Sequence, residues 1–238
     1  MYPAMWFIFT SLTLLFGRQD AVAVNPKIAA VEFENDRIRV LRVRFGPQDR
    51  LDMHSHPALV IVALTPNSRR VFLPDGTQQD LNAKSGDVSW REPLTHAVQN
   101  LGGAFENIEI EFKKASAPAV PVSPSNMQTD KAASATNIPV EQEPHHRVLF
   151  ENQYVRVLDV QIPPGESLLF HTHFHDNVSV RINGGLIQTQ MQGGEWQPAS
   201  QVKSGAVVFA EATKKPYTHR VKNVGTSTYQ VIDVELLP

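Results

Sequence analysis

The sequence predicts an all-β protein made of two tandem copies of one domain. Three observations carry this prediction: a long internal repeat, apolar–polar alternation between closely spaced turns, and a proline-rich break midway along the 238 residues. Residues 31–56 align without a gap to residues 148–173 at an offset of 117 (148 − 31), with twelve identities in 26 positions. A later block repeats as well, Pro93-x-Thr95-His96-x-Val98-x-Asn100-x-Gly102 returning as Pro216-x-Thr218-His219-x-Val221-x-Asn223-x-Gly225.

Taken in order, residues 4–16 (AMWFIFTSLTLLF) form an apolar run too short to span a bilayer comfortably. Ala21-Val22-Ala23 then offers the small-x-small pattern of signal-peptidase cleavage. The expectation is a signal peptide over 1–23, a chain starting near Val24, a periplasmic or secreted location and no membrane contact after cleavage. No Lys or Arg precedes the run, which leaves a retained N-terminal extension as the alternative.

The first domain is expected over 24–114 and the second over 145–238. In both, residues 38–45 (IRVLRVRF) and 155–162 (VRVLDVQI) alternate as half-buried strands do. Turn signals follow at short intervals, among them Gly46-Pro47, Pro74-Asp75-Gly76, Pro163-Pro164-Gly165 and Asn183-Gly184-Gly185. No sustained 3.6-residue apolar period interrupts them, so the expected architecture is an antiparallel sandwich or barrel. Residues 115–144, rich in Ala, Ser, Pro and Thr, read as a linker that leaves the domains separable.

Composition narrows the function. A net charge of −2 with no basic stripe gives no footprint for nucleic acid. The absence of cysteine excludes disulfides, thiolate metal sites and thiol nucleophiles.

Histidine carries the chemistry. His54-x-His56 with His96, and His171-x-His173 with His219, are two copies of one three-imidazole set. Residues two apart on a strand face the same way, about 6.5–7 Å apart, so each pair sends two imidazoles into one space. Neutral imidazole is the commonest metal ligand, and a third histidine returning on another strand completes a site for one divalent transition metal per domain. Iron(II) is the first choice, with Mn, Ni, Cu or Zn also accepted by such donors.

These motifs resemble those of the cupin superfamily, Gly-x(5)-His-x-His-x(3,4)-Glu-x(6)-Gly followed by Gly-x(5)-Pro-x-Gly-x(2)-His-x(3)-Asn. Gly165-x(5)-His171-x-His173 fits the first, whereas Gly46 stands two residues too far from His54. Gly86 with His96-x(3)-Asn100, and Gly205 with His219-x(3)-Asn223, fit the second, the latter with extra residues before His219. The resemblance covers residues 30–113 and 145–236 and implies a bicupin, two tandem jelly-roll barrels of six to eight strands. The family glutamate is missing from both copies, its position falling on Val60 and Asn177. Three histidines without that glutamate occur among iron-dependent dioxygenases of the superfamily.

Glu92 and Glu211 each stand six residues after the motif glycine, as a fourth ligand, an acceptor orienting a histidine or a general base; a solvated strand end is the alternative. Continued alternation would line the first barrel with Ala58, Val60 and Val62, and the second with His175, Asn177, Ser179 and Arg181. Arg181 and Asn177 are therefore candidate ligand-binding residues. A buried arginine beside a metal suggests an acidic small molecule, whereas the first copy has Leu64 at that position. His175 and Asp176 are spare ligand candidates, and His145-His146 is expected at the surface. The functional expectation is a metal-dependent enzyme acting on an oxygen-bearing small molecule. Dioxygenase-like chemistry comes first, then isomerase, lyase or decarboxylase chemistry; a non-catalytic metal- or ligand-binding bicupin is the alternative.

Overall fold

The computed structural model describes residues 19–114 and 138–238; the apolar run at 4–16 and residues 115–137 lie outside the described residues. The first domain comprises β1 (Ala29–Glu34), β2 (Ile38–Phe45), β3 (Arg50–His56), β4 (Leu59–Ala63), β5 (Asn67–Phe72), β6 (Gln78–Ala83), β7 (Val88–Arg91), β8 (Leu94–Asn100) and β9 (Phe105–Phe112). They form two sheets, ordered β1-β2-β9-β4-β7 and β3-β8-β5-β6. The second domain repeats the plan with β11 (His146–Glu151), β12 (Val155–Ile162), β13 (His171–His173), β14 (Asn177–Asn183), β15 (Gly185–Met191), β16 (Ser200–Val202), β17 (Val207–Ala210), β18 (Tyr217–Asn223) and β19 (Tyr229–Leu236). Its sheets run β11-β12-β19-β14-β17 and β13-β18-β15-β16, the latter extended by β10 (Ile138–Pro139). Each domain is thus a jelly roll of two facing ladders that do not close into one barrel. Among the described residues no helix is long and apolar enough to cross a membrane.

Strand alternation explains how the sheets are used. On β9, Ile108, Ile110 and Phe112 face away from the first domain's interior, and on β19 Ile232, Val234 and Leu236 do the same for the second. These residues meet, with Val40, Val60, Val62, Val157, Val178 and Val180 among others, in one buried apolar layer shared by both domains. Stacked pairs Phe33–Phe209 (4.6 Å between centroids) and Trp90–Tyr154 (5.7 Å) flank the layer, and Arg37 pairs with Asp176 at 3.3 Å across it. The domains are therefore held by a common core, where the linker alone had suggested independence.

That layer corrects the expected lining of the first cavity. Ala58, Val60 and Val62 belong to the interdomain core. Two residues separate His56 from Leu59, but three separate His173 from Asn177, and one residue flips a strand's facing. Register confirms the shift, Leu59 pairing with Glu111 as Asn177 pairs with Glu235. The inward set of the first domain is Leu59, Ile61 and Ala63, so Ala63, not Leu64, matches Arg181.

The ends of both domains also lie earlier than the sequence suggested. Asp20 bridges Ser55 in parallel, and its carboxylate caps the turn α1 (Ala21–Val24) by accepting from the N–H of Val22 at 2.9 Å. Ala21 is fully buried. In the second domain β10 pairs in parallel with β13, and a 3-10 turn, Val140–Gln142, follows with Val140 buried. Residues 19–23, expected at the end of a leader, with Val24, and residues 138–144, expected in the linker, take up equivalent places in the two domains. A chain beginning at Val24 would keep only Val24 of the first segment.

Candidate metal centres

Register brings the histidines together. His54 lies directly opposite His96 across β3 and β8, and His171 directly opposite His219 across β13 and β18. Alternation turns His56 and His173 to the same faces as their partners. Within each group the ligand nitrogens all lie within 4.8 Å of one another. His54 Nε2 and His96 Nε2 are 3.1 Å apart, and His173 Nε2 and His219 Nε2 are 3.2 Å apart. Metal–nitrogen bonds near 2.0–2.1 Å place adjacent ligand atoms roughly 2.9–3.4 Å apart, so both separations fit a shared cation.

Tautomers agree with that fit. The Nδ1–H of His54 donates to the carbonyl of Asp52 (2.6 Å), and that of His171 to the carbonyl of Leu169 (3.0 Å). Each Nε2 lone pair is left for a metal. His96 Nδ1 is buried without a partner, so the polar engagement of this ring is through Nε2.

The third supports differ. His56 Nδ1 meets the buried carboxylate of Glu111 at 2.6 Å, itself held by Arg39 Nε at 2.6 Å. The matching His173 meets the amide of Asn177 at 3.3 Å, with Asp233 Oδ2 at 3.8 Å. For Nε2 of His173 to ligate, Nδ1 must carry the proton and Asn177 must present its carbonyl oxygen. Glu109 Oε2 lies 3.9 Å from His56 Nε2 but outside the set of ligand atoms that lie within 4.8 Å of one another, so it stands beside the first centre and not among its ligands.

Burial governs the charges. It presses His54 down to about 4, and presses His96 to about 2 with help from its histidine neighbours. Burial also opposes protonation of His56, but the Glu111 hydrogen bond and the charges of Glu109 and Glu111 raise it overall. In the second domain His219 falls to about 3, and His171 and His173 are lowered, chiefly by burial. Burial lifts Asp233 to about 6 and Glu235 to about 8.

Arg181 and Asn177 lie where the sequence suggested, on the wall of a cavity of about 150 Å³ shared with His171, His173 and His219. Glu92 and Glu211 do not join the histidines. Both are exposed, Glu92 accepting from Trp90 Nε1 at 2.8 Å and Glu211 pairing with Lys214 at 3.2 Å, because each falls in a turn after its strand has ended. The carboxylates that reach the sites come from the last strands instead. Their signal was legible as Glu109-x-Glu111 and Asp233-x-Glu235, acids alternating with β-branched residues, but alternation alone reads such acids as facing solvent.

His175 lines a separate cavity at the domain junction, and Asp176 pairs with Arg37, so neither is a ligand here. His145 is half-exposed between Glu143 and Glu166. His146 is not at the surface. It is buried, donates Nδ1–H to the carbonyl of Val140 at 2.8 Å and packs edge-on against His171 at 4.7 Å, lining the second cavity.

The architecture matches solved structures of known fold. AerE from Microcystis aeruginosa superposes with a TM-score of 0.58 over 89% of this chain and 98% of that one, at 13% identity. A cupin 2 conserved barrel domain protein from Leptotrichia buccalis gives a TM-score of 0.53 over 88% of each chain at 12% identity. The fold is that of a bicupin. The oxalate decarboxylase of Lactobacillus farciminis, solved as a formate complex, matches with a TM-score of 0.55 over 86% of this chain and 78% of that one, at 13% identity. No family model and no curated protein sequence matches the chain. At these identities the bicupin likeness extends to the fold, and the sites rest on the residues themselves.

Proposed function

We propose that this bicupin is a metal-dependent enzyme whose second domain takes a small, carboxylate-bearing molecule. The observation that carries the reading is Arg181. Its guanidinium lines the cavity beside the three histidines and makes no ion pair among the described residues. Nε donates to Tyr229 Oη at 3.3 Å and one terminal nitrogen to the carbonyl of Ser179 at 2.8 Å, which fixes the fork and leaves donors for a ligand. A cavity of about 150 Å³ suits a ligand of few heavy atoms, benzene filling an engineered void of that size. The formate held by the Lactobacillus farciminis enzyme is a small acid of this kind.

A bound divalent metal, Fe(II) first and Mn(II) next, would supply open coordination positions and Lewis acidity. The protein supplies the rest. Arg181 orients the carboxylate, and the buried apolar wall of Ile162, Leu168 and Val231 limits water. Asp233, accepting from Ser179 Oγ at 3.0 Å and raised by burial to about 6, can hold or release a proton at Oδ2 near neutrality. Oxygenative cleavage of a chelated acid is the reaction to test first, ahead of isomerisation, elimination and decarboxylation. A non-catalytic binder is the second reading, favoured by the surface position of Glu92 and Glu211.

The test is oxygen uptake and product analysis by the Fe(II)-loaded and Mn(II)-loaded protein on a panel of small 2-oxo and 2-hydroxy acids and their neutral amides. Arg181→Met should weaken acid binding roughly ten- to a hundred-fold at unchanged metal content, a charge-assisted pair contributing about 1.5–3 kcal/mol. Equal affinity for acid and amide would remove the acid from the proposal, and binding without turnover would favour the binder.

A further inference from the structure

The first domain was expected to have a neutral cavity, but it contains two arginines. Arg69 on β5 and Arg91 at the end of β7 line a cavity of about 230 Å³, facing each other from opposite sheets of the sandwich. Asn82 and Asn107 add amide donors to the same wall. Neither arginine makes an ion pair among the described residues. Among the described residues Arg69 is held by the side-chain oxygen of Asn67, and burial, with Arg91 adding to it, pulls its pKa down against the opposing charge of Glu109. Its neighbour Arg70, facing out, has a two-point partner in Asp80 at 2.6 and 2.8 Å. Asp87, also on the cavity wall, turns Oδ2 to the backbone N–H of Lys84 at 2.7 Å, and Glu109 lies beyond ion-pair distance of both arginines.

The repeat shows that the fold does not need this pair. Arg69 lies opposite Asn100 as Ile187 lies opposite Asn223, and Arg91 opposite Leu59 as Ala210 opposite Asn177. The second domain thus builds the same strands with isoleucine and alanine at these positions. Two guanidinium groups kept facing across a void, where one copy of the fold does without them, need an anion between them.

We propose that Arg69 and Arg91 form a binding site in the first domain for a small dianion, a dicarboxylate of about succinate size. The charges match one carboxylate to each arginine, and 230 Å³ exceeds the benzene-sized void by enough for about eight heavy atoms.

The test is calorimetry on the metal-loaded full chain with succinate and with its monoamide, succinamate. Succinate should bind at least ten-fold more tightly than succinamate. In an Arg181→Met background, which removes the second cavity's contribution, Arg69→Met and Arg91→Met should each weaken succinate binding ten- to a hundred-fold. Without ligand, Arg69→Met should hold or raise Tm, since a half-buried charge with no ion-pair partner among the described residues is replaced by an apolar side chain. Should Arg69→Met fold poorly, Arg91→Met and Arg69→Lys decide the matter, the latter keeping charge but losing the fork. Absence of succinate binding, or binding indifferent to both arginines, overturns the proposal. So does a Tm loss in Arg69→Met that Arg69→Lys restores without any effect on binding, which assigns Arg69 a structural role. Binding lost only in Arg181→Met overturns it too, yet leaves the reading of the second cavity standing.

Discussion

In the first domain His56 leans on a carboxylate, Glu111, at 2.6 Å; in the second the matching His173 meets the amide of Asn177 at 3.3 Å. Beside the second set of histidines lie Arg181 on β14 and an additional histidine, His146, whereas the first domain places its arginines on β5 and β7, in a cavity that none of its three histidines lines. The donors that would hold a metal are repeated, and the groups that tune it are not. An anionic acceptor on Nδ1 makes an imidazole a stronger donor than a neutral one does, so the first centre would hold a metal more tightly. The second, with weaker support and a small cavity, would leave a metal more electron-poor.

The largest test of this contrast asks whether there are two centres at all. His54→Ala and His171→Ala should each lower metal content by about one equivalent per chain, from about two, when the purified protein is assayed by elemental analysis. Because the domains share an apolar core, each variant should still unfold in one cooperative transition. Loss of all metal with either substitution would mean a single centre.

Next in size is the exchange of the supports. Glu111→Gln should weaken the first centre ten- to a hundred-fold and leave the second alone. Asn177→Asp should give His173 the carboxylate it lacks and strengthen the second centre, by roughly ten-fold on the same rule. Competition against a chromophoric chelator reads both. Equal weakening of the two centres by Glu111→Gln would mean that the supports do not act locally.

Acid should separate the domains as well. In metal-free protein His54, His96, His146 and His219 have folded pKa values of about 4, 2, 3 and 3, all lowered mainly by burial. These lie below the unfolded value near 6.5, so the stability they reflect is complete above pH 6.5 and is lost as pH falls below it. One such histidine forfeits on the order of 2 kcal/mol between pH 7 and pH 5. His56 runs the other way, its raised pKa adding stability at low pH that is lost as pH rises through the folded value. The second domain has more lowered histidines, with only half-exposed His145 raised. Hydrogen exchange at pH 5 should therefore open β13 and β18 before β3 and β8. The reverse order would contradict the burial assigned to these rings.

Much of this was legible in the sequence. The repeat, the strand alternation and the six histidines gave the fold class and both centres, because a period-two pattern and a fixed offset survive without knowledge of packing. Arg181 was legible too, since no length change separates it from Asn177. The first cavity was not. A single-residue difference after the histidine pair moved Val60 from cavity to domain interface, and no local signal marks such a shift. The acids on β9 and β19 went unread, because alternation does not reveal which face a second domain will cover. Glu92 and Glu211 failed for a different reason, their equal spacing from the motif glycines reflecting repeated turn length rather than shared chemistry.

The smallest expected difference between the domains is a backbone one, and it explains why the first copy departs from the glycine spacing of the motif. Gly165 has a φ of +82°, and at the equivalent position (165 − 117 = 48) Gln48 has a φ of +64°. The turn is the same; only the residue differs. A side chain in the left-handed region costs about 1–2 kcal/mol, offset by the roughly 0.5–1 kcal/mol of extra unfolded-state freedom that glycine brings. Gln48→Gly should thus stabilise the protein by about 0.5–1 kcal/mol, a rise in Tm of about 1–4 °C for a chain of this length. Gly165→Gln should lower Tm by a similar amount, and since nothing lies within 4 Å of a Cβ built there, the effect isolates backbone strain from packing. Metal content should be unchanged in both variants. A loss of stability in Gln48→Gly would show that the glutamine side chain contributes more to this turn than its strained backbone costs, and would make the two turns different in kind.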